Sequence, residues 1–253
     1  MTRARHLIPG LVIALCSTLL QAGVDEVSDP ESTVLAPSVD TFHFQSLIAW
    51  DSRYASEGRD NLDGASISSV LLEMALDNWV FGSWLAESGE ADYEERNFFI
   101  TYGFEWKGID GYLGYKLLQF PGEDNETDHE FGAGLSGPEL AFALVPEINW
   151  YYSTDSGGSY LEAGLSRELI LTDQWLLIPS VMVGRNDGYI SDGHNGSDHA
   201  RITLETQYRI NARLSLQAHI GGSFAINSSP VTFPGDDLLR DFFHTGVGFT
   251  ISF

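Results

Sequence analysis

The stretch Phe242-Phe243-His244-Thr245-Gly246-Val247-Gly248-Phe249-Thr250-Ile251-Ser252-Phe253 decides the fold. Phe243, Thr245, Val247, Phe249, Ile251 and Phe253 share one face of an extended chain, while Phe242, His244, Gly246, Gly248, Thr250 and Ser252 share the other. A bulky apolar face opposite a face of glycines and small polar side chains suits a strand with hydrocarbon on one side and a lumen on the other. The same alternation recurs upstream. Ile202, Leu204, Thr206, Tyr208 and Ile210 oppose Arg201, Thr203, Glu205, Gln207 and Arg209. Phe98, Ile100, Tyr102, Phe104 and Trp106 oppose Asn97, Thr101, Gly103 and Glu105, and Leu214, Leu216, Ile220, Phe224 and Ile226 oppose Ser215, Gln217, His219 and Ser223.

Extended from there, the pattern predicts strands at 42–51, 67–76, 79–85, 97–106, 111–120, 129–135, 140–152, 160–169, 175–184, 200–209, 214–226 and 242–253. Long polar connections at 52–66, 86–96, 121–128, 153–159, 185–199 and 227–241 alternate with short ones at 77–78, 107–110, 136–139, 171–174 and 210–213. A soluble sandwich has no reason to sort its loops in this way, but a membrane barrel has. The expected fold is all-β: a single antiparallel up-and-down transmembrane β-barrel over 41–253, with about 12 strands, short periplasmic turns and long outer loops. Trp50, Trp79, Trp106, Trp150, Tyr152 and Trp175, near strand ends, are expected to form two aromatic girdles. Pro146 and Pro179 fall inside proposed strands, where each removes a ladder hydrogen bond, and Arg167 falls on the lipid face by parity.

Residues 1–22 read as a secretory signal, with Arg3 and Arg5 ahead of an apolar run and a small residue, Ala22, at its end. Residues 23–40, rich in carboxylates and holding two prolines, read as a flexible acidic lead-in. The only cysteine, Cys16, lies in the signal, so no disulfide framework is expected. The 253 residues carry 13 Lys plus Arg against 36 Asp plus Glu, a net −23 that becomes −25 without Arg3 and Arg5. A chain this acidic lacks the basic footprint that phosphate binding needs, which excludes nucleic acid as a partner. Hydrophobic residues at 43% and aromatics at 12% exclude global disorder.

The charge has two expected destinations. The six long connections hold 19 of the 36 carboxylates, which predicts a negative outer crown. That crown would face lipid and lipopolysaccharide, with divalent cations as possible bridges; its densest run, 123–128, does not match the EF-hand spacing. Charges borne by strands cannot face hydrocarbon at the midplane, so parity assigns them inward. Arg53, Glu73, Glu105, Lys116, Glu130, Glu147, Glu162, Arg201, Glu205 and Arg209 are the lumen-lining candidates, and the excess of Glu predicts a preference for cations. The competing reading has these charges form a structural network in a closed barrel.

No catalytic residue, cofactor or metal site is expected. His194 and Ser197 lie in a long loop, in the wrong order for the His-x-Ser-Asn patch of barrel lipases and with no rigid strand to hold them. Gly221-Gly222-Ser223 leads into no helix, as a nucleophile elbow must. His43, His219 and His244 all point inward by parity, but His43 and His244 start their strands at opposite ends of the barrel.

The terminal aromatic with alternation behind it resembles the C-terminal signature of Gram-negative outer-membrane barrels. The resemblance implies outer-membrane localisation and marks Phe249, Ile251 and Phe253 as a signal for the barrel-assembly machinery. The stretch Asp51-Ser52-Arg53-Tyr54-Ala55-Ser56-Glu57-Gly58 resembles the opening of the uncharacterised Gcw_chp-type family of proteobacterial envelope proteins, which implies no particular activity. The resulting reading is a narrow channel or porin for small solutes or cations. The alternatives are a closed structural or adhesion barrel with acidic outer loops and a membrane-embedded lipid hydrolase.

Overall fold

The computed structural model describes residues 42–122 and 125–253; the expected leader 1–22, the lead-in 23–40, and residues 123–124 lie outside the described residues. Twelve strands make up the wall: β1 (Phe42–Asp51), β2 (Ile67–Leu76), β3 (Trp79–Ser88), β4 (Tyr93–Trp106), β5 (Ile109–Phe120), β6 (Glu126–Ser136), β7 (Val145–Ser153), β8 (Ser159–Ser166, resumed at Leu169–Thr172), β9 (Trp175–Asp187), β10 (Gly196–Arg209), β11 (Leu214–Ala225) and β12 (Phe242–Ser252). Each pairs antiparallel with its chain neighbours. β1 pairs with β12, Gln45 opposite Ser252 through Asp51 opposite Gly246, and this closes the barrel.

Period-two patterning builds the wall. On β2, Ile67, Ser69, Leu71 and Glu73 are buried inside while Ser68, Val70, Leu72 and Met74 face out. On β12, Phe243, Val247, Phe249, Ile251 and Phe253 are exposed while Phe242, Gly246 and Gly248 are buried. Exposed Ile48, Phe81, Leu85, Phe98, Leu113, Phe131, Ile148, Val183, Ile202 and Ile220 continue this apolar belt around the exterior. So large a contiguous apolar surface suits lipid rather than water. Trp79, Trp106 and Trp175 stand outward beside the turns at one end; Trp50, Trp150 and Tyr152 lie toward the other.

The connections depart from the expected alternation. At the end where β1 begins, the turns 77–78, 107–108 and 173–174 are tight, but 137–144 spans eight residues and includes a 3-10 turn at Ala141–Ala143. At the opposite end 52–66 and 226–241 are long and 188–195 spans eight residues, while the other connections are short because the strands run on through most of the supposed loops. Glu87, Glu94, Glu95, Asp128, Asp187 and Asp198 are strand residues. There the alternation continues with polar side chains on both faces, Glu95 and Asn97 buried and Glu94 and Arg96 exposed, so it carries no hydrophobic signal. Pro179 lies opposite the break between Ser166 and Leu169, where the ladder is already interrupted. Pro146 is the second residue of β7. Arg167 sits in that same break, its backbone N–H donating to the Pro179 carbonyl.

Candidate functional site

The interior is unevenly filled. Along β1–β5, Leu47, Leu71, Trp84, Leu118 and Phe120 form an apolar inner core, joined by Tyr54 and Tyr93. Trp84 is the only buried tryptophan among the six, and Phe99 also points inward, its ring lying over Gly82. Strand parity thus gives the lumen an apolar wall that the reading of aromatics as lipid-facing overlooked.

Between these apolar groups, charges pair. Lys116 Nζ lies 2.7 Å from Glu130 Oε1, both enclosed, and the Tyr189 phenol donates to the other Glu130 oxygen. Glu73 accepts from Gln45 Nε2 at 2.5 Å, and Arg201 lies 3.6 Å from Glu162. Glu147 accepts from Ser166 Oγ at 3.1 Å, and Glu205 from Gln207 Nε2 at 3.1 Å. Arg53 pairs with Asp60 and stands over the Phe242 ring at 5.9 Å. Two candidates sit differently from the parity assignment. Glu105 is exposed at the turn-end rim opposite Asp110, and Arg209 is exposed there too, reaching the Asp173 carbonyl. Both fall within two residues of a tight turn or at a strand terminus, past the depth at which inward parity means enclosure.

The loop-end mouth is occupied by the chain itself. After β1, residues 52–66 fold inward and make a two-residue hairpin, Ala55–Ser56 paired with Arg59–Asp60. Its turn, Glu57-Gly58, has positive φ at both residues, 44° and 72°, as tight hairpins require. A Cβ on Gly58 would also meet the His199 ring at 2.4 Å. Residues 54–61 are all buried. The Tyr54 hydroxyl donates to Glu95 Oε2 on β4 at 2.8 Å, while Ser223 Oγ on β11 donates to the Gly58 carbonyl at 3.3 Å. The loop therefore crosses the lumen from wall to wall. Burial and the Glu95 carboxylate hold the Tyr54 phenol well above its usual range, which keeps it a donor.

Arg59 fixes the hairpin. Only 1% exposed, it reaches Asp198 Oδ2 (2.9 Å), the Glu57 carbonyl (2.9 Å), the Gly235 carbonyl (3.1 Å) and Asp236 Oδ1 (3.4 Å). Asp198 is the extra residue of a β-bulge: Gly184 pairs with His199 and Arg185 with Ser197. The bulge lets consecutive Asp198 and His199 both turn inside, where Asp198 also accepts from the Tyr160 hydroxyl at 2.7 Å. Asp236 additionally binds His194 Nδ1 at 2.9 Å, tying 188–195 and 226–241 to the plug. His194 Nε2 faces the Ser197 carbonyl at 3.2 Å, and the Ser197 hydroxyl has no bond to it. That arrangement holds His194 between Asp236 and the Ser197 carbonyl as a structural clasp. Gly221 and Gly222 accommodate the His244 and Phe243 rings from β12.

Beneath the plug lies a chamber of about 260 Å³, lined among others by Asp51, Arg53, Trp84, Glu147, Arg201, Glu205, His219 and His244. His219 lies 3.3 Å from Asp51 and its ring centroid 5.3 Å from that of His244. Reading His43 against His244 overlooked this diagonal pair on β11 and β12. No group of three or more metal-ligating side chains occurs among the described residues.

No protein-family model and no curated protein matches this chain. Solved structures do resemble it. A KdgM porin matches with TM-score 0.55 at 9% identity over 83% of this chain and 99% of that one. A KdgM porin in complex with disordered oligogalacturonate matches with TM-score 0.54 at 9% identity over the same shares. The NanC porin matches with TM-score 0.52 at 11% identity over 82% and 98%. At these identities the likeness is one of fold.

Proposed function

We propose that this chain is an outer-membrane channel of the porin type for small solutes, with a preference for cations. Its loop end would face outward, and Phe249, Ile251 and Phe253 on the exterior of β12 would serve as the signal read by the barrel-assembly machinery. The carboxylates exposed at the loop end, such as Glu87, Glu90 and Asp155, would face lipopolysaccharide, bridged by divalent cations. The resemblance of 51–58 to the Gcw_chp-type family fits an envelope protein of this kind.

One observation carries the cation preference. In the chamber, the arginines are already paired, Arg53 with Asp60 and Arg201 with Glu162. The carboxylates Asp51, Glu147 and Glu205 bond only an imidazole, a hydroxyl and an amide. Low-dielectric walls focus such an excess of negative charge on whatever enters. A polyanion such as the oligogalacturonate held by one KdgM porin suits this interior poorly. The test is reversal potential in planar bilayers under a salt gradient. Cation selectivity is expected, and Glu147→Gln with Glu205→Gln should reduce it severalfold. Anion selectivity, or no current at any voltage from any variant, would overturn the reading. Total silence would favour the closed structural or adhesion barrel, which the occupied mouth also fits.

A further inference from the structure

The 52–66 loop does something that neither wall nor chamber requires: it fills the mouth. It is held there in two ways. On its flank, Arg59 is clasped by Asp198 and Asp236, and Arg240 reaches Asp60 at 3.0 Å and Asp63 at 2.5 Å. The flank thus rests on four carboxylates and two arginines, polar groups that water can solvate when the contact opens. At its tip the balance differs. Glu57 is 3% exposed, and one of its carboxylate oxygens has no hydrogen-bond partner among the described residues.

The groups around Glu57 do not welcome a negative charge. From β6 and β8 come Glu130 and Glu162. Lys116 on β5 is a cation that favours the Glu57 charge, but Glu130 already holds it at 2.7 Å. Tyr54, Tyr93, Tyr160 and Tyr189 are the other titratable groups around Glu57, and as neutral phenols they offer it no counter-charge. His199 on β10 packs against Gly58 and is engaged by Asp198 and Tyr160. Arg59 meets Glu57 only at its backbone carbonyl.

We propose that the 55–60 hairpin is a gate, closed in this structure, and that ionisation of Glu57 drives it out of the mouth. This rests on the channel reading. With the hairpin in place, burial above all, and then Glu162 and Glu130, push the Glu57 carboxyl up to about 8, against the opposing effects of Ser56 and Lys116. In water the same carboxyl titrates at its ordinary value of 4.5. Between these values, closing takes up a proton. The closed form is therefore fully favoured in acid, weakens as pH rises through the window and levels off above about 8, by up to tenfold in the closed-to-open ratio per pH unit.

The experiment is single-channel recording of the full chain in planar bilayers from pH 4.5 to 9. Open probability should rise with pH. Glu57→Gln, neutral at every pH, should flatten the profile in the closed state, which separates Glu57 from the histidines His194 and His199. Arg59→Ala should raise the open probability at acid pH at least tenfold. Arg59 and Leu239 are bridge partners, so the Arg59→Cys, Leu239→Cys pair can be joined by a disulfide. The oxidised form should stay shut at all pH, and reduction should open it. Glu57→Gln keeps the Arg59 clasp, so its arm of the test stands even if the Arg59 variants fail to fold. Current that is steady across pH and unaltered by these variants would overturn the gate and leave the channel reading intact. No current from any of them, including the reduced pair, would overturn both.

Discussion

Lys116 and Glu130 show what a single inward charge can mean. Parity places both inside, but it cannot tell a solvated lumen charge from an enclosed pair. In the structure they are 3% and 1% exposed and 2.7 Å apart. Removing one member strands the other without its counter-charge. Lys116→Met is expected to cost about 3–5 kcal/mol of stability, read from urea unfolding in detergent, and much of that loss should be recovered when Glu130→Gln is added. If the single variant is as stable as the parent, the pair is solvated and the lumen wider than described. Glu73, Glu162 and Glu95 likewise have partners: Gln45, Arg201, and Tyr54 with Asn97. The sequence offered the residue types for these pairs, but not the register that selects each partner.

Among the elements, β12 was the most legible, because each of its residues has either an apolar or a small polar role and nothing interrupts the alternation. Val247, 48% exposed, lies across from Trp50 and Ala218 on the exterior. Val247→Arg should cost roughly 2–4 kcal/mol if this position lies near the bilayer midplane, measured by folding into lipid vesicles. A variant folding as well as the parent would place β12 outside the hydrocarbon. β10 was much less legible. Its first residues read as loop because Gly196 to His199 break the alternation, and the break is the bulge at Asp198. One inserted residue changes the parity of everything before it. No local signal says that this residue is needed to receive Arg59 from 139 positions away. The β3–β4 connection was misjudged for a different reason: strands that leave the membrane while still paired keep their ladder and lose their apolar face.

For the whole molecule, the apolar exterior and closed ladder predict a particular behaviour in solution. The chain should require detergent, show β-type circular dichroism, and migrate differently on gels before and after heating. A stable, monomeric, detergent-free form would refute the membrane assignment. The charge also redistributes at this scale. Among the described residues, one set of carboxylates is exposed at the loop end and another is enclosed, and the enclosed set is mostly paired or hydrogen-bonded. The unbalanced remainder in the chamber, Asp51, Glu147 and Glu205, is small in number, and the proposed cation preference rests on it.

The sequence by itself determined the wall: strand number, closure order and, along the apolar stretches of most strands, which side chains meet the outside. Each of these follows from local periodicity, and a barrel in lipid admits only one choice of face. Tertiary structure alone decided what stands in the mouth. Residues 52–66 carry Arg59, Asp60 and Glu57, a composition equally suited to a solvated outer loop. They fold inward because β4, β10, β11 and the 226–241 loop together supply Glu95, Asp198, Ser223 and Asp236 at matching depth. Each of those contacts spans far more sequence than any local pattern reaches, so the interior was settled by the closing of the barrel.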